Sequence, residues 1–229
     1  MTILAIDSTG KTAGIALARK NHILAELTVN NILTHSQTLM PMIDNILNMA
    51  NINKHEITHI ACSAGPGSFT GLRIGAAAAK GLAFALGTKI VPVSTLDALA
   101  YNISHENITV IPIMDARREQ VYTAAYTCEN GKITRTTDYT VCSIEEVLRM
   151  AAGKKAVFLG DGTPVHYDKI EKYTEFSIAP IHNILQRAAS VGVIALENIN
   201  NAVCPRDFAP FYIRPSQAER EKGEGNERR

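Results

Sequence analysis

The sequence has almost no charge imbalance: 23 basic and 22 acidic side chains leave a formal net charge of +1 over 229 residues. That removes any general drive toward phosphate backbones or anionic lipid, so nucleic-acid contact must be local or borrowed from a partner. Cysteine is scarce and dispersed. Cys62, Cys128, Cys142 and Cys204 form no CxxC pair, which suits reduced thiols better than a disulfide frame or a zinc site. The apolar stretches all meet a glycine or a charge before eighteen residues, and the opening MTILAIDSTGKT has no basic region ahead of a long apolar run. The expectation is a cytoplasmic chain without membrane contact. A composition 46% hydrophobic and 20% charged is that of a globular protein with a substantial core, in one large domain or two small ones.

Several chemistries also lack their residues. Residues 8–12 end in GKT, but the glycine a phosphate-binding P-loop needs five positions earlier is Ala5, and the segment that follows reads as a strand. A turn after Asp7 could still offer hydroxyls and amides to an anion, or be purely structural. His55 and His59 are four apart, but they lead into a strand, where that spacing is too long for one ion. No Ser-His-Asp or Cys-His arrangement follows from spacing. Arg117 and Arg118 beside Asp115 read as anion ligands or, more simply, as ion-pair partners of Asp115 and Glu119.

What is present is a repeated pattern. Apolar runs at 3–6, 13–18 and 23–29, separated by turn residues, predict an antiparallel meander. A helix over 36–50, a strand over 57–63, a glycine-rich loop at 65–71, a helix to about 86 and a strand over 90–93 follow, with Ser94 or Thr95 capping a further helix. The second half has the same order. A run over 110–114 ends at Asp115, 108 positions after Asp7, and runs at 121–126 and 133–141 flank a turn at 129–131. Ser143 with Glu146 then makes a capping box, 156–159 a strand and 160–162 its glycine loop. Two copies of one plan predict two α/β lobes around a cleft: a first lobe at 1–104, a smaller one at 105–209, and a segment at 210–229 that returns toward the first lobe and ends in a charged tail.

The glycine loop GPGSFTG delivers a strand into a helix, so its free N–H groups could hold an anion; a tight connection capped by Ser68 explains the same residues equally well. The helix beyond it is more telling. Gly75, Ala76, Ala77, Ala78, Ala79, Gly81, Ala83 and Ala85 put small side chains on nearly every face. The helix over 36–50 has one apolar stripe, Leu39, Ile43, Ile46 and Ala50, with Met40, Met42, Leu47 and Met49 spreading beyond it. Both are expected to pack on their own lobe with one side and on a partner protein with the other.

In GPGSFTGLRIGAAAAKGLA at 65–83, LAIDST near the start, His35-Ser36-Gln37-Thr38-Leu39-Met40-Pro41, VPVSTLDALA and the late FYIRPSQAE, the sequence resembles the TsaB family, also called YeaZ, over nearly its whole length. The resemblance implies an α/β, actin-like (ASKHA, RNase H-like) fold with a mixed sheet in each lobe. It implies a non-catalytic subunit needed for threonylcarbamoyl transfer to adenosine 37 of transfer RNAs reading codons that begin with A. The partners it implies are a TsaD-type catalytic homologue, a TsaE-type ATPase and, for the chain alone, a second copy, with transfer RNA reached only through the complex. ATP or ADP would lie at the complex interface and not be held by this chain alone. TsaD carries a metal-binding HxxxH helix; the corresponding Thr95-Leu96-Asp97-Ala98-Leu99 has neither histidine, so no catalytic or metal residue is expected here. The turn 115–118 lacks the glycine with which actin-like kinases approach phosphate. The residues expected to bind the partner are His35, Leu39, Met42, Ile43, Ile46, Leu72, Ile74, Ala77, Ala78 and Gly81. Those expected to face a nucleotide or anion are Asp7, Ser8, Thr9, Gly65, Gly67 and Ser68. The competing reading is a small-molecule kinase of the same fold, working in the cleft at Asp7 and residues 65–71.

Overall fold

In the computed structural model, which describes residues 1–30 and 34–214, the chain forms two mixed sheets built on one plan. The meander is β1 (Thr2–Asp7), β2 (Ala13–Arg19) and β3 (His22–Val29), followed by α1 (His35–Met49), β4 (Ile57–Gly65), α2 (Phe69–Leu86), β5 (Lys89–Ser94) and α3 (Thr95–Ala100). β4 joins β1 in parallel and β5 joins β4 in parallel, giving the order β3-β2-β1-β4-β5. The second half contributes β6 (Thr109–Asp115), β7 (Gln120–Thr123), β8 (Tyr126–Glu129), β9 (Lys132–Arg135), β10 (Thr140–Ser143), α4 (Ile144–Ala151), β11 (Ala156–Leu159), α5 (Tyr167–Ile170), β12 (Phe176–Ile178) and α6 (Ala188–Glu197). Its main path, β10-β7-β6-β11-β12, repeats the first sheet strand for strand. Ser143 and Glu146 form the expected capping box.

The second meander departs from its expected strands. β8 continues the register of β7 along β6, with Val110 opposite Tyr126 after Ile113 opposite Thr123. The two are one strand interrupted at Ala124 and Ala125, where the Ala125 N–H turns to Thr137 Oγ1 and its carbonyl accepts from Thr136 N. The expected strand over 133–141 is likewise split. Continuing from Arg135 opposite Tyr126 would set Thr123 against residue 138, yet it faces Thr140, so residues 136–139 bulge out of the ladder.

Every residue of β1 is buried, so the first sheet needs cover on both faces. One face, with Leu4, Ile6, Ile15 and Leu17, packs under α1 and α2. The other, with Ile3, Ala5, Ala16 and Ala18, packs under α6 through Ala188, Val191 and Ala195. This corrects the expected lobe boundary. The chain returns to the first lobe at Ala188, not at 210, because the back of the first sheet would otherwise lie open. Burying Val191 and Ile194 there contributes about 1.5–3 kcal/mol each. α2 is long and apolar enough to cross a membrane by length and composition, but one side of it lies on β4 and β5.

Candidate functional site

The turn after β1 and the loop before α2 meet as the sequence implies, and they close on each other. Asp7 is buried at the end of β1. Its Oδ1 accepts from Thr9 N at 2.9 Å and Thr9 Oγ1 at 2.7 Å, and its Oδ2 accepts from Ser63 Oγ at 2.7 Å. Burial raises its pKa above the usual carboxylate value, and the hydrogen bonds from Ser63 and Thr9 oppose that shift. Ser8 Oγ donates to the Gly71 carbonyl at 2.8 Å, and Ser68 N donates to the Thr9 carbonyl at 2.8 Å.

The loop's glycines explain themselves against this turn. A Cβ at Gly67 would stand 2.5 Å from Thr9 O, one at Gly71 2.0 Å from Ser8 O, and one at Gly75 2.4 Å from Ser8 Oγ. Gly65, at φ 127°, faces the Phe211 carbonyl in the same way. The spacing therefore serves a close approach between two segments of the same chain. Ser68 caps α2 by accepting from Gly71 N at 3.3 Å. All six residues expected at an anion site come together here, with the Ser8 hydroxyl and the Ser68 N–H each bonded to the other segment and the Thr9 hydroxyl held by Asp7 within the turn. His35 Nε2 lies 3.0 Å from the Gly10 carbonyl, which places that residue on the turn.

Sequence reasoning missed Gln186. Its amide lies flat on Gly10, and both its polar atoms are buried without a hydrogen-bond partner among the described residues. A lone glutamine between lobes leaves no sequence signal. In the second lobe, Asp115 Oδ1 accepts from Arg117 N at 2.8 Å and Asp161 Oδ1 from Asp115 N at 3.1 Å. The expected pairing of Arg117 and Arg118 with Glu119 does not occur. Glu119 bonds to Lys169, which also reaches Glu145 at 2.7 Å, and residues 117–119 all adopt left-handed backbone.

Where the resemblance places the ligand helix, α3 has a different task. Thr95 and Leu99 are fully buried. Asp97 Oδ1 accepts from Tyr126 OH at 2.7 Å, and its Oδ2 from Tyr139 OH at 2.8 Å, so the helix binds the second lobe. Burial first, and the Asp97 carboxylate after it, push the Tyr139 phenol up to about 12.

The expected partner face divides sharply. Leu39, Met42, Ile43 and Ile46 are between 0% and 6% exposed and belong to the first lobe's own core, because the apolar stripe of α1 is needed to cover the sheet, and Leu72, on α2, is buried as well. They are not surface. Ala77 and Gly81 are exposed on α2 and Ala78 is half-buried, whereas Ile74, also half-buried, packs against the first lobe's core; a Cβ at Gly81 would meet nothing within 4 Å. Phe84, 62% exposed on the same helix, and Met49, 76% exposed at the end of α1, add large apolar side chains to the open surface. Their signal was an apolar residue outside the core stripe.

Two lobes with one strand order and an Asp-led turn at the end of each first strand define an actin-like (ASKHA, RNase H-like) α/β protein. Among solved structures, component A of (R)-2-hydroxyglutaryl-CoA dehydratase from Acidaminococcus fermentans shares this fold, with a TM-score of 0.53 at 13% identity, over 87% of this chain and 99% of that one. YeaZ from Pseudomonas aeruginosa superposes with a TM-score of 0.78 at 25% identity, over 92% and 99%. A family model described as TsaD, tRNA N6-adenosine threonylcarbamoyltransferase, matches residues 22–222. The tRNA threonylcarbamoyladenosine biosynthesis protein TsaB of Bacillus subtilis is 35% identical over 96% of both chains, and its Haemophilus influenzae counterpart is 29% identical over 93% and 94%. The chain belongs to the TsaB family.

Proposed function

We propose that this chain is a non-catalytic subunit of the cytoplasmic machinery that forms threonylcarbamoyladenosine at position 37 of transfer RNAs reading codons that begin with A. It works by docking on a TsaD-type catalytic homologue, with a TsaE-type ATPase joining the pair; the chain alone pairs with itself through the same surface. The observation that carries this reading is the outer side of α2. Ala77, Ala78, Gly81 and Phe84 offer an apolar face whose small residues let another helix backbone come close. Transfer RNA is met through the complex, in keeping with a net charge of +1. ATP or ADP belongs at the interface with the partner. The kinase alternative needs an available carboxylate at Asp7, and both oxygens of that group already accept hydrogen bonds inside the closed turn.

Light scattering after gel filtration, with the TsaD-type homologue from the same organism, tests the docking. The wild type should elute as a heterodimer, and Ala78→Arg, which puts a charge on the apolar face, should abolish it while the variant stays folded. Threonylcarbamoyl transfer by the purified chain alone would refute the non-catalytic role.

A further inference from the structure

The last described segment, residues 208–214, crosses from one lobe to the other. Phe208 is buried in the first lobe's core, and its carbonyl accepts from Lys80 Nζ of α2 at 2.8 Å. Phe211 N donates to the Ala64 carbonyl at the end of β4, at 2.9 Å. Tyr212 stacks face to face on Phe69, the first residue of α2, with ring centroids 4.7 Å apart and planes within 6°. From there the segment enters the second lobe. The Phe211 ring stacks on Tyr139 at 5.8 Å, Ile213 packs on the cluster holding Met114, Tyr122 and Tyr126, and Arg214 donates to Gln120 Oε1 at 2.8 Å.

Tyr139 makes this strap more than a tether. It sits in the 136–139 bulge that interrupts the second meander, its hydroxyl bonds Asp97 on α3, and Arg135 lies 3.8 Å over its ring. One side chain of the second lobe thus touches two ties to the first: the strap through its ring and α3 through its hydroxyl. At the other end, the Phe69–Tyr212 stack is part of the N-terminal turn of the helix whose outer face we assign to the partner.

We infer that residues 208–214 are a strap that couples occupancy of the α2 face to the placement of the second lobe, with the Phe69–Tyr212 stack as its input and Tyr139 as its output. The inference rests on the docking reading above for what presses on the input. A partner that favours one placement of Phe69 shifts the balance of lobe arrangements only by its difference in affinity for them, and the aromatic stacks supply the rigid path. Arrangements held by a few such contacts open locally without global unfolding.

Hydrogen exchange of the full chain, followed by mass spectrometry, reads this directly. In Phe69→Ala, exchange should rise about tenfold in segments 208–214 and 136–143, while β1 and α6 keep wild-type protection and Phe69→Tyr restores it. The exposed neighbour Thr70→Ala should change nothing. Faster exchange at 208–214 with 136–143 unchanged overturns the coupling, as does no change at either. Should Phe69→Ala raise exchange everywhere through loss of the fold, Tyr212→Leu, which keeps apolar contact without the stack, decides by the same two segments. Adding the TsaD-type homologue to the wild type separates the two readings. Protection of α2 with 136–143 unmoved sinks the strap and leaves docking intact. No protection of α2 sinks docking, and the lone-chain variants still judge the strap.

Discussion

The two lobes share a strand order and differ in nearly everything built on it. In the first, the helix after the glycine loop is α2, 18 residues with a sealed inner side and an open outer one. In the second, the helix at the same place is α5, of four residues. The first meander has continuous strands with one register shift at Leu17/Ala18 and lies in a sheet covered on both faces, whereas the second is interrupted at 124–125 and 136–139, and the latter break carries Tyr139 to α3. A repeated plan therefore does not carry a repeated role. The first lobe presents a surface, and the second is reduced and held against it.

Glycines give the sharpest way to break that comparison, because both lobes press a glycine loop onto the end of their first strand. In the first lobe a Cβ at Gly71 would stand 2.0 Å from Ser8 O; in the second, one at Gly162 would stand 3.0 Å from Ile113 O, the tight approach there belonging to Gly160, at φ 101° and 2.2 Å from the same oxygen. Gly71→Ala should cost about 3 kcal/mol or more, since backbone must move against backbone, and Gly162→Ala about 1 kcal/mol. Urea unfolding of both variants measures the difference. Equal losses would mean that the first lobe's turn is not closed as tightly as its hydrogen bonds imply.

A smaller effect belongs to the first lobe's Asp-led turn and is read by pH. Asp7 is buried with a raised pKa, and Asp115 is exposed. For a carboxyl whose folded value lies above its unfolded value, the folded state holds more protons between the two, so stability falls as pH rises through that window. Wild type should therefore gain stability relative to Asp7→Asn as pH drops through that window. Unfolding midpoints at a series of pH values between about 3.5 and 7 test it.

Much of this architecture was legible in advance. The first meander, both long helices, Ser68 and Ser94 as caps, and the doubled plan all followed from local patterns of apolar spacing and turn residues. The glycine spacing located the closed turn but could not say whether its occupant was an anion or the chain itself, because the partner, Ser8 to Gly10, lies some sixty residues away. The surface of α1 was misread for a related reason. A stripe of Leu39, Met42, Ile43 and Ile46 reads the same whether it meets a partner or its own sheet, and only the second covered face, supplied by α6 from residue 188, shows how much burial the first lobe needs. Gln186 and the strap's stacking on Phe69 rest wholly on contacts distant in sequence.

Within α2 itself the comparison narrows to two glycines ten residues apart. Gly71 touches the turn, whereas a Cβ at Gly81 would enter open space. Gly81 lies inside a helix at ordinary helical backbone, so alanine there reduces the freedom of the unfolded chain without a clash, and Gly81→Ala should stabilise the lone chain by about 0.5–1 kcal/mol. Helix propensity alone therefore gives no reason for glycine at this position. If the small outer face exists so that a partner helix can approach closely, the same methyl stands in its way. The variant should then melt higher by itself while binding the TsaD-type homologue several-fold more weakly, opposite signs that thermal unfolding and titration calorimetry on one preparation would reveal. A gain in both would leave α2's openness in place and move the partner's contact toward Phe84 and Met49.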